Sequence, residues 1–120
     1  MLKYKFYYRQ EKPRFLRMDF EPKLPILTCY LDDVFKSSYD WVREGIDSVL
    51  NGEADCIERN AEWYGAKITK EITTFYVTID EDNHDEDIVS TLDFKEIFEI
   101  WVREKEKMLS GKKGKGWFSS

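Results

Sequence analysis

One histidine, two cysteines, three prolines and six glycines are all that the 120 residues hold of the types that most often build reactive centres, staples and sharp turns. No stretch approaches the about 18 consecutive apolar residues that a membrane span needs, so no transmembrane helix is expected. The start, Met1-Leu2-Lys3-Tyr4-Lys5, alternates charged with apolar residues and offers no hydrophobic segment, so no secretory signal is expected. Cys29 and Cys56 are too few for a disulfide framework or a zinc cage. They read as two buried thiols of a cytoplasmic protein.

Catalytic patterns are missing as well. There is no G-x-S-x-G, no G-x-x-x-x-G-K-[ST] and no G-x-G-x-x-G. Gly111, Gly114 and Gly116 follow a helix, whereas a phosphate-cradling loop must open one. His84 sits among carboxylates with no nucleophile at a recognisable spacing. No enzyme activity, cofactor or designed metal site is therefore expected. Asp80, Asp82 and His84 imitate the first ligands of a calcium loop, but Asp85 stands where that loop needs its glycine and Thr91 where it needs its last glutamate.

What the chain does have is aromatic mass and charge: 16% aromatic, 42% hydrophobic and 36% charged residues. That much aromatic surface has to be buried, which argues against wholesale disorder. The net charge is −5 and very unevenly placed. Residues 1–23 carry a balance of +4, while Asp80-Glu81-Asp82-Asn83-His84-Asp85-Glu86-Asp87 packs six carboxylates into eight positions. A domain with a pI near 5.0 is a poor partner for nucleic acid and a good one for something basic.

Periodicity supplies the elements. Leu2, Tyr4, Phe6 and Tyr8 alternate with polar neighbours, and Leu16, Met18 and Phe20 resume the alternation after a turn at 10–13, which predicts a hairpin. Ile26–Leu31 reads as a third strand. Val34, Ser38, Val42, Ile46 and Val49, widened by Phe35, Trp41, Gly45 and Leu50, predict a helix that Ser37 and Asp40 open as a capping box. Asn51-Gly52 ends it. Further strands fall at about 53–59, 62–69 and 72–79, and the acidic octet reads as an exposed loop. Ser90 and Asp93 open a last helix, whose buried stripe is Phe94, Ile97, Phe98, Trp101 and Met108. The fold class is α+β: two layers, a mainly antiparallel sheet of about five to six strands, with two helices on one face. Residues 1–110 form a single domain and 111–120 a flexible Lys/Gly-rich tail.

Asn51-Gly52-Glu53, Asn60, Val89-Ser90-Thr91-Leu92-Asp93-Phe94 and Trp101 together carry a resemblance. A helix ending in a glycine turn, two or three strands, a Ser-Thr-x-Asp/Glu-Phe helix opening and a Trp one or two turns later resembles small bacterial immunity proteins. These accompany the toxins of contact-dependent growth inhibition and related polymorphic toxin systems, and the element order is similar to that of YacL-type proteins. The likeness covers about residues 34–109; the third strand and the Lys-rich tail have no counterpart in it. It implies a cytoplasmic protein without chemistry of its own that binds a cognate toxin domain, often a nuclease. It transfers no contact residue.

The charge pattern offers a surface for such a partner. Left alone, a carboxylate run is a solvated segment; set against Lys and Arg on a partner, it speeds association and rejects wrong partners. Asp80, Glu81, Asp82, Asp85, Glu86 and Asp87 are therefore expected to face a basic toxin domain, with the helix acids Asp40, Glu44 and Asp47 as the alternative face. Tyr30, Tyr39, Trp41, Trp63 and Tyr76 are the aromatics that periodicity leaves free to act as anchors. The competing class is a regulatory or housekeeping binding module with a non-toxin partner, and the chain is expected to be a monomer or weak dimer.

Overall fold

A computed structural model describes residues 2–9 and 15–110. The turn expected at 10–13 and the tail expected at 111–120 lie outside the described residues. Strands β1 (Lys3–Arg9) and β2 (Phe15–Glu21) pair antiparallel as the alternation predicts, Phe6 opposite Met18. Leu16, Met18 and Phe20 of β2 are buried, so this strand carries the hairpin's core face.

The expected third strand is a helix, α1 (Pro25–Asp33). Pro25 sits in its first turn, where the missing N–H is no loss. The buried residues Ile26, Leu27, Tyr30 and Leu31 recur at helical spacing, a signal that the apolar, β-branched look of the segment masks. Thr28 Oγ1 donates to the Met18 carbonyl at 2.9 Å and ties α1 to β2.

Helix α2 (Tyr39–Leu50) begins later than the stripe suggests. A 3₁₀ turn at Lys36–Ser38 precedes it, and no side-chain cap bond forms, so the Ser37–Asp40 capping box is not made. The tight turn supplies the bonds instead: the Ser38 N–H reaches the Phe35 carbonyl at 2.8 Å. Tyr39, Val42, Ile46 and Val49 face the core, whereas Phe35 and Trp41, expected in the stripe, are exposed. Gly52, at φ 79°, ends the helix as the sequence predicts.

Strands β3 (Cys56–Glu58), β4 (Tyr64–Thr69), β5 (Ile72–Val77) and β6 (Glu86–Ser90) form an antiparallel sheet in that order. The first is shorter than expected, Ile79 lies beyond β5, and β6 is a strand that periodicity missed. Ala66, Ile68, Thr73, Phe75 and Val89 form its buried face, against which the helices pack. Helix α3 (Thr91–Ser110) follows without a break and buries all five stripe residues. Ser90 Oγ accepts the Asp93 N–H at 3.0 Å, the expected N-cap. Thr91 Oγ1 donates to the Thr69 carbonyl at 2.6 Å, so the buried Thr73 hydroxyl 2.8 Å away must donate to Thr91.

The α+β class and antiparallel pairing are as expected. Among the described residues the six strands divide into a hairpin and a four-stranded sheet, and there are three α-helices where two were expected. Tyr30 and Tyr39 are core residues and not surface anchors. The thiols also differ from expectation: both are free, Cys29 half-buried on α1 and Cys56 exposed on β3.

Candidate functional site

The acidic octet is not one unit. Asp80–Asp85 is a loop; Glu86 and Asp87 open β6, opposite Tyr76 and Phe75. In that register Asp87 shares the core side of the sheet with Phe75 and Val89. Its Oδ2 accepts the N–H groups of Ile26 and Leu27 at 2.6 and 3.1 Å. It therefore caps α1 from 61 residues away, where the helix's own N-cap residue Leu24 makes no side-chain bond. The loop is ordered by short turns: Asp80 Oδ1 accepts the Asp82 N–H at 3.0 Å, and Asn83 Oδ1 accepts the Asp85 N–H at 2.9 Å. Asp80, Glu81, Asp82, Asp85 and Glu86 are exposed, and no ion pair to them occurs among the described residues. Nor, among those residues, do three His, Cys, Asp or Glu side chains converge as a metal site would require.

The alternative acids are exposed on α2, but each already has a cation. Asp40 lies 2.9 Å from Arg43, Asp47 2.9 Å from Lys95 of α3, and Glu44 3.9 Å from Arg59. Arg43 also grips Glu99 with two parallel bonds of 2.8 and 3.0 Å, which hold its guanidinium firmly charged. Asp47 and Glu44 thus tie α2 to α3 and to Arg59, while the Asp40 pair lies within α2 itself.

Sequence reasoning missed a cleft of about 300 Å³ beside the loop, between the C-terminal end of α1, the start of α2 and the β3–β4 link. Asp33, at the last turn of α1, accepts the N–H groups of Trp63 and Tyr64 on one oxygen, Oδ2, at 2.7 and 3.0 Å. The Trp63 carbonyl accepts the Thr78 N–H at 2.9 Å, and Thr78 Oγ1 donates to the Glu62 carbonyl at 3.3 Å. Those two bonds set the cleft beside the point where the acidic loop leaves β5. Phe35 and Trp41 line it and are 65% and 45% exposed.

The floor of the cleft is Tyr30. Its hydroxyl donates to the Arg59 carbonyl at 2.7 Å, and burial pushes its pKa well above the ordinary tyrosine value. Arg59 lies over the Trp41 ring, 4.7 Å from its centroid, and its Nε donates to the Trp41 carbonyl at 2.9 Å. Gly45 leaves the room for this crossing: a Cβ there would meet Arg59 Nε at 2.8 Å. The signal for the cleft is thin, because Asp33, Phe35, Trp41 and Glu62 come from three separate segments. Of the lining residues only Tyr30 and Trp41 stood out in the sequence, as aromatics that periodicity left without a place in the core.

What this end of the molecule offers is an acidic loop close to a cleft lined by aromatic and acidic side chains. No protein-family model matches the chain, and no solved structure does. The chain is similar to a Bacillus cereus protein named "Immunity protein", 26% identical over 98 residues that span 81% of this chain and 84% of that one.

Proposed function

We propose that this chain is an immunity protein that binds a cognate bacterial toxin domain and neutralises it by one-to-one association. The observation that carries the reading is the similarity to the Bacillus cereus "Immunity protein", which runs through most of both chains and is not confined to one motif. The surface supports it physically. Five carboxylates at 80–86 stand exposed without an ion pair among the described residues, and the loop that carries them leaves β5 at Thr78, which is bonded to the carbonyl of the cleft residue Glu62. Carboxylates steer a basic partner and aromatics anchor it. The toxin domain is a nuclease of a polymorphic or contact-dependent system: a nuclease must present cations to polyanionic phosphate, and an acidic surface competes for those cations. Neutralisation then needs no catalysis and no cofactor, and it takes place in the cytoplasm.

The test begins with the neighbouring gene. The C-terminal domain of a large toxin encoded beside this chain, expressed alone in bacteria, should stop growth, and co-expression of this chain should restore it. The two purified proteins should form a one-to-one complex by calorimetry, and the complex should lack the nuclease activity of the free toxin domain. A toxin domain that still kills in the presence of this chain, with no measurable complex, overturns the reading.

A further inference from the structure

We propose that a basic groove beside the β1–β2 hairpin receives the acidic loop of a second copy of this chain, in a two-fold dimer. The dimer is independent of the immunity reading. The groove holds about 780 Å³ between the hairpin and the start of α1. Its hairpin wall includes β1, an edge strand that pairs with β2 alone. Four cations line it, Lys3, Lys5, Arg17 and Lys23, against the two acids Asp19 and Glu21. Arg17 is taken by Asp19 at 3.2 Å, whereas the three lysines have no ion pair among the described residues. Lys5 and Arg17 also stand 5.4 and 5.3 Å from the ring centroid of Tyr7, which is itself exposed in the groove. In a chain of net charge −5, a groove with three unpaired lysines selects an acidic occupant.

That occupant is present on the same molecule, next to the groove. The exposed carboxylates at 80–86 lead into β6, and β6 meets α1 at its first turn, where Asp87 accepts the N–H groups of Ile26 and Leu27 at 2.6 and 3.1 Å. Leu24 and Pro25, which open that turn, line the groove. A negative and a positive surplus therefore adjoin one turn of helix. Within one copy they do not satisfy each other: among the described residues no ion pair joins the loop to the groove. A two-fold axis beside that turn sets each loop on its partner's groove, so both pairings form together. A second β1 is a poorer occupant, because antiparallel pairing about Phe6 would set Lys3 opposite Arg9. The loop cannot face a second copy and a toxin domain at once, so a toxin domain that uses it displaces the copy and the one-to-one complex stands.

Exchanging the charges tests the pairing with the full chain alone. Sedimentation equilibrium should show the parent dimerising. One variant carries Lys3→Glu and Lys23→Glu, the other Asp85→Lys and Glu86→Lys. Each should weaken self-association by about tenfold or more, because like charges then meet at both contacts. None of the four side chains makes an ion pair among the described residues, so the melting temperatures should hold. An equimolar mixture of the two variants should dimerise again, to within about threefold of the parent, since each groove then faces a loop of opposite charge. A parent that is still monomeric at about 1 mM overturns the dimer. Variants that dimerise like the parent, or a mixture that fails to reassemble, overturn the pairing of groove with loop. None of these results touches the immunity reading, which toxin binding tests separately.

Discussion

Tyr30 shows how one side chain joins the core to the surface. Its ring packs against Phe75 and Phe94, with centroids 5.2 and 6.2 Å away, while its hydroxyl holds the carbonyl of Arg59 at the cleft. Burial raises its pKa above the ordinary value of 10.0, so the folded chain keeps a proton that the unfolded chain gives up at lower pH. The stability this group contributes is full below about pH 10 and is lost as pH rises towards its folded value. Tyr39 is raised by burial in the same sense and adds to the slope. Tyr30→Phe should cost about 1 kcal/mol at neutral pH, because the Arg59 carbonyl loses its donor. It should also flatten the fall in stability between neutral pH and about pH 11. Urea melts of parent and variant at both pH values check this, and parallel slopes would show that Tyr30 is not the titrating group.

Elements whose signals are local were legible, and those whose signals lie elsewhere in the chain were not. The hairpin followed from alternation, α3 from Ser90 and its stripe, and the end of α2 from Gly52. Helix α1 and strand β6 depend on each other across 61 residues, because Asp87 must enter β6 on the core side before it can cap α1. A carboxylate run hides such a residue: only the sheet's two-residue period separates Asp87 from its solvated neighbours. The acidic part of the candidate surface was legible from composition; the cleft was not, since it exists only once Asp33 has drawn the β3–β4 link onto α1. Asp87→Ala should therefore destabilise the fold by about 1–2 kcal/mol, the usual range for a lost N-terminal cap. Asp85→Asn should stay within about 0.5 kcal/mol of the parent. Denaturant melts distinguish the two, and equal values would return Asp87 to the loop's solvated charges.

At the scale of the whole molecule, the acidic loop leaves β5 at Thr78, which the Glu62 and Trp63 carbonyls bind next to the cleft. A variant with Asp80, Glu81, Asp82, Asp85 and Glu86 changed to their amides, and Asp87 kept, separates steering from folding. Its stability should match the parent or exceed it slightly, since exposed like charges repel and contribute little. Its association with the toxin domain should slow by about tenfold at low ionic strength and lose most of its salt dependence, while dissociation changes little. Stopped-flow association at two ionic strengths measures both effects. If the rates do not move, the docking charges pass to Asp40, Glu44 and Asp47 on α2. There an incoming lysine would first have to displace Arg43, Arg59 or Lys95 from an existing pair. Binding on that face would gain less from each charge and would disturb the pairs that tie α2 to Arg59 and α3. The two faces therefore differ in outcome as well as place: neutralising the loop predicts a rate effect without a stability effect, and neutralising α2 a rate effect together with a small loss of stability as its pairs to Arg59 and Lys95 break.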